Sequence, residues 1–207
     1  MASALGSAAG LKQSAVAATR PRHLLLLPGL MCDGTFWEPL QAAVPANTHC
    51  TVVDYGDADT LTAMAQAALA AAPPQFSLLA VARADGVRAM CGEWLKGMVH
   101  PGRLDDTALL ASITDMFARK NASLFASQLN ALLTRPDTSP VLAGLQAMAL
   151  PTMLLCGRQD SWANVAQHEA MQALAPQSSL CIIEDAGHMV LMERPSETVH
   201  SLFQFLD

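Results

Sequence analysis

The sequence predicts an α/β fold: a mostly parallel sheet flanked by helices, reduced in strand number and carrying a helical cap segment. Three observations carry that expectation. Short apolar runs that read as buried strands alternate with helical patterns over residues 24–82. From about residue 85 to 148 only helical patterns occur. Strand patterns then resume at "PTMLLCGRQD" and "SLCIIEDAGH". Alternation of this kind argues for βαβ units with right-handed crossovers. Helices inserted together between strands of such a core commonly cover a site as a lid; the bland alternative is an extension that only packs.

The elements follow in order. In "HLLLLPGLMCDG" the run Leu24 to Leu27 is apolar without interruption and ends at Pro28 and Gly29, as expected of a central strand buried on both faces. "TFWEPLQAAV" reads as a short helix and the β-branched "HCTVVDYGDA" as the next strand. Asp59 or Thr60 can cap "LTAMAQAALAAA", where Leu61, Met64, Ala65, Ala68 and Leu69 recur at helical spacing before Pro73 and Pro74. A strand over Phe76 to Ala82 follows. The helical stretch contains "RAMCGEWLKGM", then "DTALLASITDMFARK" with Leu109, Leu110, Ile113, Met116 and Phe117 on one face, then "SLFASQLNALL" and a short helix from near Pro140. The strand Thr152 to Cys156 ends at Gly157, with Asp160 three residues on, and the last strand leaves His188 in the loop beyond it. A final helix opens at Pro195 and turns Val199, Leu202, Phe203 and Leu206 to the core.

The 207 residues suit one domain, expected over 21–207 with the cap at about 94–148, preceded by a flexible Ala- and Ser-rich extension over 1–20. Apolar types make up 52% and charged types 14%, which argues for elements buried on both faces and against disorder. A formal charge of −6 opposes a phosphate backbone or an anionic membrane surface, so no nucleic-acid or membrane partner is expected. No apolar run approaches the length of a membrane span. Cys32, Cys50, Cys91, Cys156 and Cys181 form no C-x-x-C pair, which suits reduced thiols in a cytoplasmic protein. Neither a metal nor a cofactor is expected.

In open parallel sheets, ligands bind beyond the carboxyl ends of strands. The residues there are "PGLMCDG", Asp54, Arg83, Asp160 and His188. An imidazole accepts a proton near neutrality when its other nitrogen is held in one tautomer by a buried carboxylate, and Asp160 with His188 can form that pair. Taken singly, the bland readings are a capping Asp and a surface His. The remaining histidines, His23, His49, His100, His168 and His200, are read as structural.

Glycine-rich loop, elbow, acid and histidine stand in the chain order of an α/β-hydrolase triad. On "LLLLPGLMCDGTFWEPL", on "TRPDTSPVL" leading into "PTMLLCGRQD", and on "IIEDAGHMVLMERPSETV", the chain resembles small bacterial carboxylesterase-like α/β-hydrolases over roughly 23–90 and 94–207. The resemblance implies hydrolysis of small carboxylic esters, with His188 as base, Asp160 as its acid partner, and backbone N–H groups of Leu30 (Met31 close by) and Ala84 as the oxyanion hole.

Two departures stand against that chemistry. The five positions matching the family's Gly-x-Ser-x-Gly elbow read Val81, Ala82, Arg83, Ala84 and Asp85, so the nucleophile position holds a guanidinium with no lone pair to offer. Ser77 lies some 20 Å back along an extended strand, and Cys91 falls about two helical turns past the apex. In addition, nothing in "CGEWLKGMVHPGRL" supplies the strand that the family places between elbow and cap. If the flanking strands closed that gap, Asp160 and His188 would move about 4.8 Å towards the elbow, against a tolerance below about 1 Å.

Three readings remain open at this point: a hydrolase that is weakly active or inactive; a non-catalytic relative binding a small apolar ester or carboxylic acid, with Arg83 near its carboxylate; and the product of a gene deletion or frameshift near 81–93. Apolar surface left by an internal deletion makes a homodimer a further expectation.

Overall fold

The computed structural model describes residues 21–29, 31–74, 76–80, 95–145 and 147–207. Its strands are β1 (Arg22–Leu27), β2 (Thr48–Val52), β3 (Ser77–Ala80), β4 (Met153–Gly157) and β5 (Ser179–Ile183). The helices are α1 (Gly34–Ala43), α2 (Leu61–Ala71), α3 (Thr107–Ala118), α4 (Ala122–Leu133), α5 (Ser139–Gly144), α6 (Val165–Leu174), α7 (Val190–Glu193) and α8 (Pro195–Leu206), with a single 3₁₀ turn at Pro101–Arg103. Residues 95–98 are also helical. Each strand falls where the apolar runs place it. The extension over 1–20, the end of the elbow strand and most of the "RAMCGEWLKGM" helix lie outside the described residues.

All strand pairs are parallel. The sheet, however, comes in two pieces, β2-β1-β3 and β4-β5. Among the described residues β3 and β4 do not pair, so the described strands do not show the conditional closure of the gap. Helices lie on one side: α1, which follows β1, packs on α7 and α8, and α8 packs on β5. That layer spans both sheet pieces.

Burial accounts for these contacts. Leu24 and Leu26 of β1 and Phe36, Trp37 and Leu40 of α1 share one core with Leu191, Val199 and Leu202 near the C-terminus. The cap helix α3 joins the same core through Leu109, Ile113, Met116 and Phe117, four of the five residues placed on its inner face by their spacing. Fully burying side chains of this size stabilises by about 1.5–3 kcal/mol each. On its far side, β1 packs Leu25 against Ala68 of α2 and Val53. Only Ala68 of the α2 stripe is buried; Leu61 and Leu69 are exposed, because the helix rests on its small Ala67, Ala68 and Ala72 face.

Caps follow the sequence. Thr60, rather than Asp59, caps α2, its Oγ1 accepting from Ala63 N–H at 3.2 Å. Asp106 and Asn121 cap α3 and α4 in the same way. Asn164 and Gln167 form a reciprocal capping box on α6. His23 and His49, opposite each other on β1 and β2, stack with ring centroids 5.2 Å apart.

Candidate active site

Asp160 and His188 meet beyond the carboxyl ends of β4 and β5. β4 ends at Gly157, whose carbonyl accepts from Asp160 N–H at 3.2 Å and so turns the chain sharply. A Cβ at Gly157 would lie 2.3 Å from the carbonyl oxygens of both Ala186 and Gly187, so only glycine lets the two loops touch. The carboxylate is fully engaged: Oδ1 accepts from the N–H groups of Trp162 and Ala163, each at 2.8 Å, and Oδ2 lies 2.8 Å from His188 Nδ1. Both side chains are buried, with 5% and 4% of their surface exposed.

Burial alone would raise the Asp160 carboxyl. The hydrogen bond and charge of His188, with the two backbone amides, outweigh it and hold the group below its ordinary value. An ionised carboxylate only accepts, so Nδ1 carries the hydrogen and Nε2 is the basic nitrogen of the neutral ring. The Trp162 ring lies tilted against the imidazole, centroids 5.3 Å apart.

Residues 95–100, at the front of the cap, are clamped onto both loops. Ser161 Oγ donates to the Gly97 carbonyl at 2.7 Å, and Met189 N–H donates to the Met98 carbonyl at 3.1 Å. A Cβ at Gly187 would come within 2.6–2.8 Å of backbone atoms of Met98, Val99 and His100. Glu193, only 3% exposed, closes the arrangement: its carboxylate accepts from Gly187 N–H at 2.9 Å and from His100 N–H at 2.6 Å. Burial pushes this carboxyl up, against the lowering effect of those amides and of Arg103. His100 therefore has a structural place, as expected, and its Nδ1 also accepts from Gly102 N–H.

The glycine-rich loop after β1 is held from the cap as well. Met31 has a positive φ of 63°, is fully buried, and donates its N–H to Gln128 Oε1 of α4 at 2.8 Å. That amide is thus already engaged. Asp33, next along, caps α1 through Thr35 N–H and pairs with Arg119 and Lys120 at the end of α3. Sequence reasoning did not single out Gln128, Asp33 or Glu193; for Glu193 the signal present was an acidic residue inside the quoted "MERPSETV" run.

Leu30, Arg83 and Ala84 lie outside the described residues, so the structure brings together the acid and the histidine alone. Asp54 stays apart from them, its carboxylate turning back to accept from Gly56 N–H. The described cysteines are free thiols, two buried and two half-buried. Cys156, at the end of β4, has its thiol pushed up to about 11 by burial and by the nearby Asp160, so it is no thiolate at neutral pH. Among the described residues no group of three or more His, Cys, Asp or Glu could hold a metal ion, and no helix is long and apolar enough to cross a membrane.

A cavity of about 610 Å³ reaches the pair from below. Asp160 and His188 stand at one end, and Trp37, Leu40, Leu191 and Leu202 line its apolar depth.

With a buried carboxylate–imidazole pair after the last two parallel strands, the comparison with known proteins is decisive. The alpha/beta hydrolase fold family matches residues 84–195, just over half of the sequence. The chain belongs to the α/β-hydrolase family.

Solved structures of this α/β-hydrolase fold agree in shape. A thermophilic esterase from Thermogutta terrifontis superposes with a TM-score of 0.73 at 19% identity, covering 90% of each chain. An enol-lactonase from Burkholderia xenovorans LB400 gives 0.77 at 16% identity, over 90% of this chain and 92% of that one. A bromoperoxidase from Bacillus anthracis gives 0.69 at 14%, over 89% and 91%. Their names span several activities, so the likeness speaks for the fold and leaves the reaction to the site. No curated protein sequence matches the chain.

Proposed function

We propose that this α/β-hydrolase retains the acid–base half of a carboxylic-ester hydrolase while lacking its nucleophile, and that its esterase activity is very weak or absent. The observation that carries the reading is the buried 2.8 Å contact between His188 Nδ1 and Asp160 Oδ2. In this reading His188 is the general base, Asp160 holds its tautomer, and the N–H groups of Leu30 and Ala84 form the oxyanion hole. Arg83 stands at the nucleophile position, where its guanidinium offers no electron pair. The esterase and enol-lactonase names among the structural neighbours favour carboxylic esters and lactones as the ancestral substrate class.

With p-nitrophenyl acetate the purified protein is expected to show no burst and no turnover that disappears in His188→Ala. His188-dependent turnover would overturn the reading, because it requires an attacking group that the reading denies.

A second reading is favoured by the cavity that ends at His188: a non-catalytic site for a small carboxylic acid, with Arg83 of the elbow sequence as the cation that would attract it. A thermal-shift series with small carboxylic acids tests it, since a ligand at 100 times its Kd adds about 2.7 kcal/mol of apparent stability. An equal shift in Arg83→Ala removes Arg83 from the site.

A further inference from the structure

The cavity below Asp160 and His188 touches every residue of β4, Met153 to Gly157. Successive strand residues face opposite sides of a sheet, so the space contacts both faces of this strand. It is also walled by both helical layers, by Leu40 and Leu202 of α1 and α8 and by Leu142 and Leu174 of α5 and α6. Since β5 closes one edge of β4, a space reaching both faces must pass the other edge. The cavity therefore lies in the plane of the sheet, where a further strand would run.

The hydrogen-bond register fixes what that edge presents. Ser179 N–H donates to the Thr152 carbonyl and Arg158 N–H donates to the Ile183 carbonyl. In a parallel ladder alternate residues bond to one neighbour, so Thr152, Leu154, Cys156 and Arg158 serve β5. The N–H and C=O groups of Met153 and Leu155 point the opposite way, into the cavity. Among the described residues nothing meets them. Water would satisfy these groups but wet the leucine walls; an acyl chain would suit the walls but leave the backbone groups unpaired. An extended apolar peptide answers both demands.

We propose that the open edge of β4 is a docking site for an extended, apolar polypeptide segment of another chain, about five residues long, which adds to the sheet as a strand. Described residues of this chain between β3 and β4 are helix, turn or loop and offer no strand of their own. On the α5 and α6 side the wall carries exposed apolar Met171 and Leu174 beside polar Ser139, Gln167 and His168. This inference does not rest on the acid–base reading; it competes with the carboxylic-acid reading for the same cavity, and its test involves no turnover.

The probe is a synthetic Val-Leu-Val-Leu-Val peptide flanked by lysines, added to the full-length protein while amide hydrogen exchange is followed by NMR. Exchange of the Met153 and Leu155 N–H groups is expected to slow at least tenfold, and the melting temperature to rise with peptide concentration. The same peptide with proline at its centre is expected to do neither. Leu174→Asp, a substitution at a half-exposed wall position, is expected to fold normally and to lose the peptide effect. Protection equal with the proline peptide or with lauric acid, protection already complete without peptide, or no effect of any peptide overturns the proposal.

Discussion

Glu193 binds no reacting group in the acid–base reading, yet it holds the histidine loop against the cap through two backbone amides. Glu193→Gln keeps one acceptor oxygen and leaves one amide unmet, at a cost of about 1–3 kcal/mol; Glu193→Ala leaves both unmet and costs more. Chemical denaturation of the two variants measures the difference, and equal losses would deny the bridging role. Acid acts on the same residues with opposite signs. Asp160 and Asp33 titrate below their ordinary 3.8 in the folded chain, so their contribution is complete above that value and is lost as pH falls through the lowered folded values. Burial raises Glu193 above its ordinary 4.5, so its contribution is present below 4.5 and is lost as pH rises through the raised folded value. Asp160→Asn is expected to remove the Asp160 part of the acid sensitivity, checked by tryptophan fluorescence across an acid titration. The sequence disclosed Asp160 and His188 because both follow strands that anyone can read. It did not disclose Gln128 or Glu193, whose roles are to meet backbone amides 97 and 93 positions away and leave no local pattern.

Among the elements, α4 shows how the cap reaches the glycine-rich loop. Gln128→Leu removes the acceptor from the buried Met31 N–H, and a loss of about 1–3 kcal/mol is expected in a denaturant titration. Ile113→Ala in α3 empties a fully buried position and is expected to cost about 2–5 kcal/mol by the same measurement. The α3 face was legible because four large apolar residues repeat at helical spacing and all face the core. By contrast, α6 buries no side chain fully and its sequence mixes polar and apolar residues around the whole circumference, so periodicity gave it no signal. α7 spans four residues, too few for any period to register. The α2 stripe misled about burial, because small alanines can seat a helix while its leucines stay in water.

For the molecule as a whole, the sequence between elbow and cap offers no apolar run to read as a strand, and among the described residues the sheet comes in two pieces, an arrangement that the sequence did not disclose. Sheet pieces drift together only if the layers above and below permit it, and α1 already spans from β1 to α7 and α8. We propose that residues 21–207 form one domain with the cap at about 94–148. It follows that this span should unfold in a single transition with matching calorimetric and van't Hoff enthalpies; two transitions would mean that the sheet pieces are separate units. The clamp of residues 95–100 on both loops has a kinetic corollary. The cap front cannot swing outward without breaking the Ser161–Gly97 and Met189–Met98 bonds, so any such movement pulls on the very loops that carry Asp160 and His188. To unlatch that front is to tug at what lies behind it.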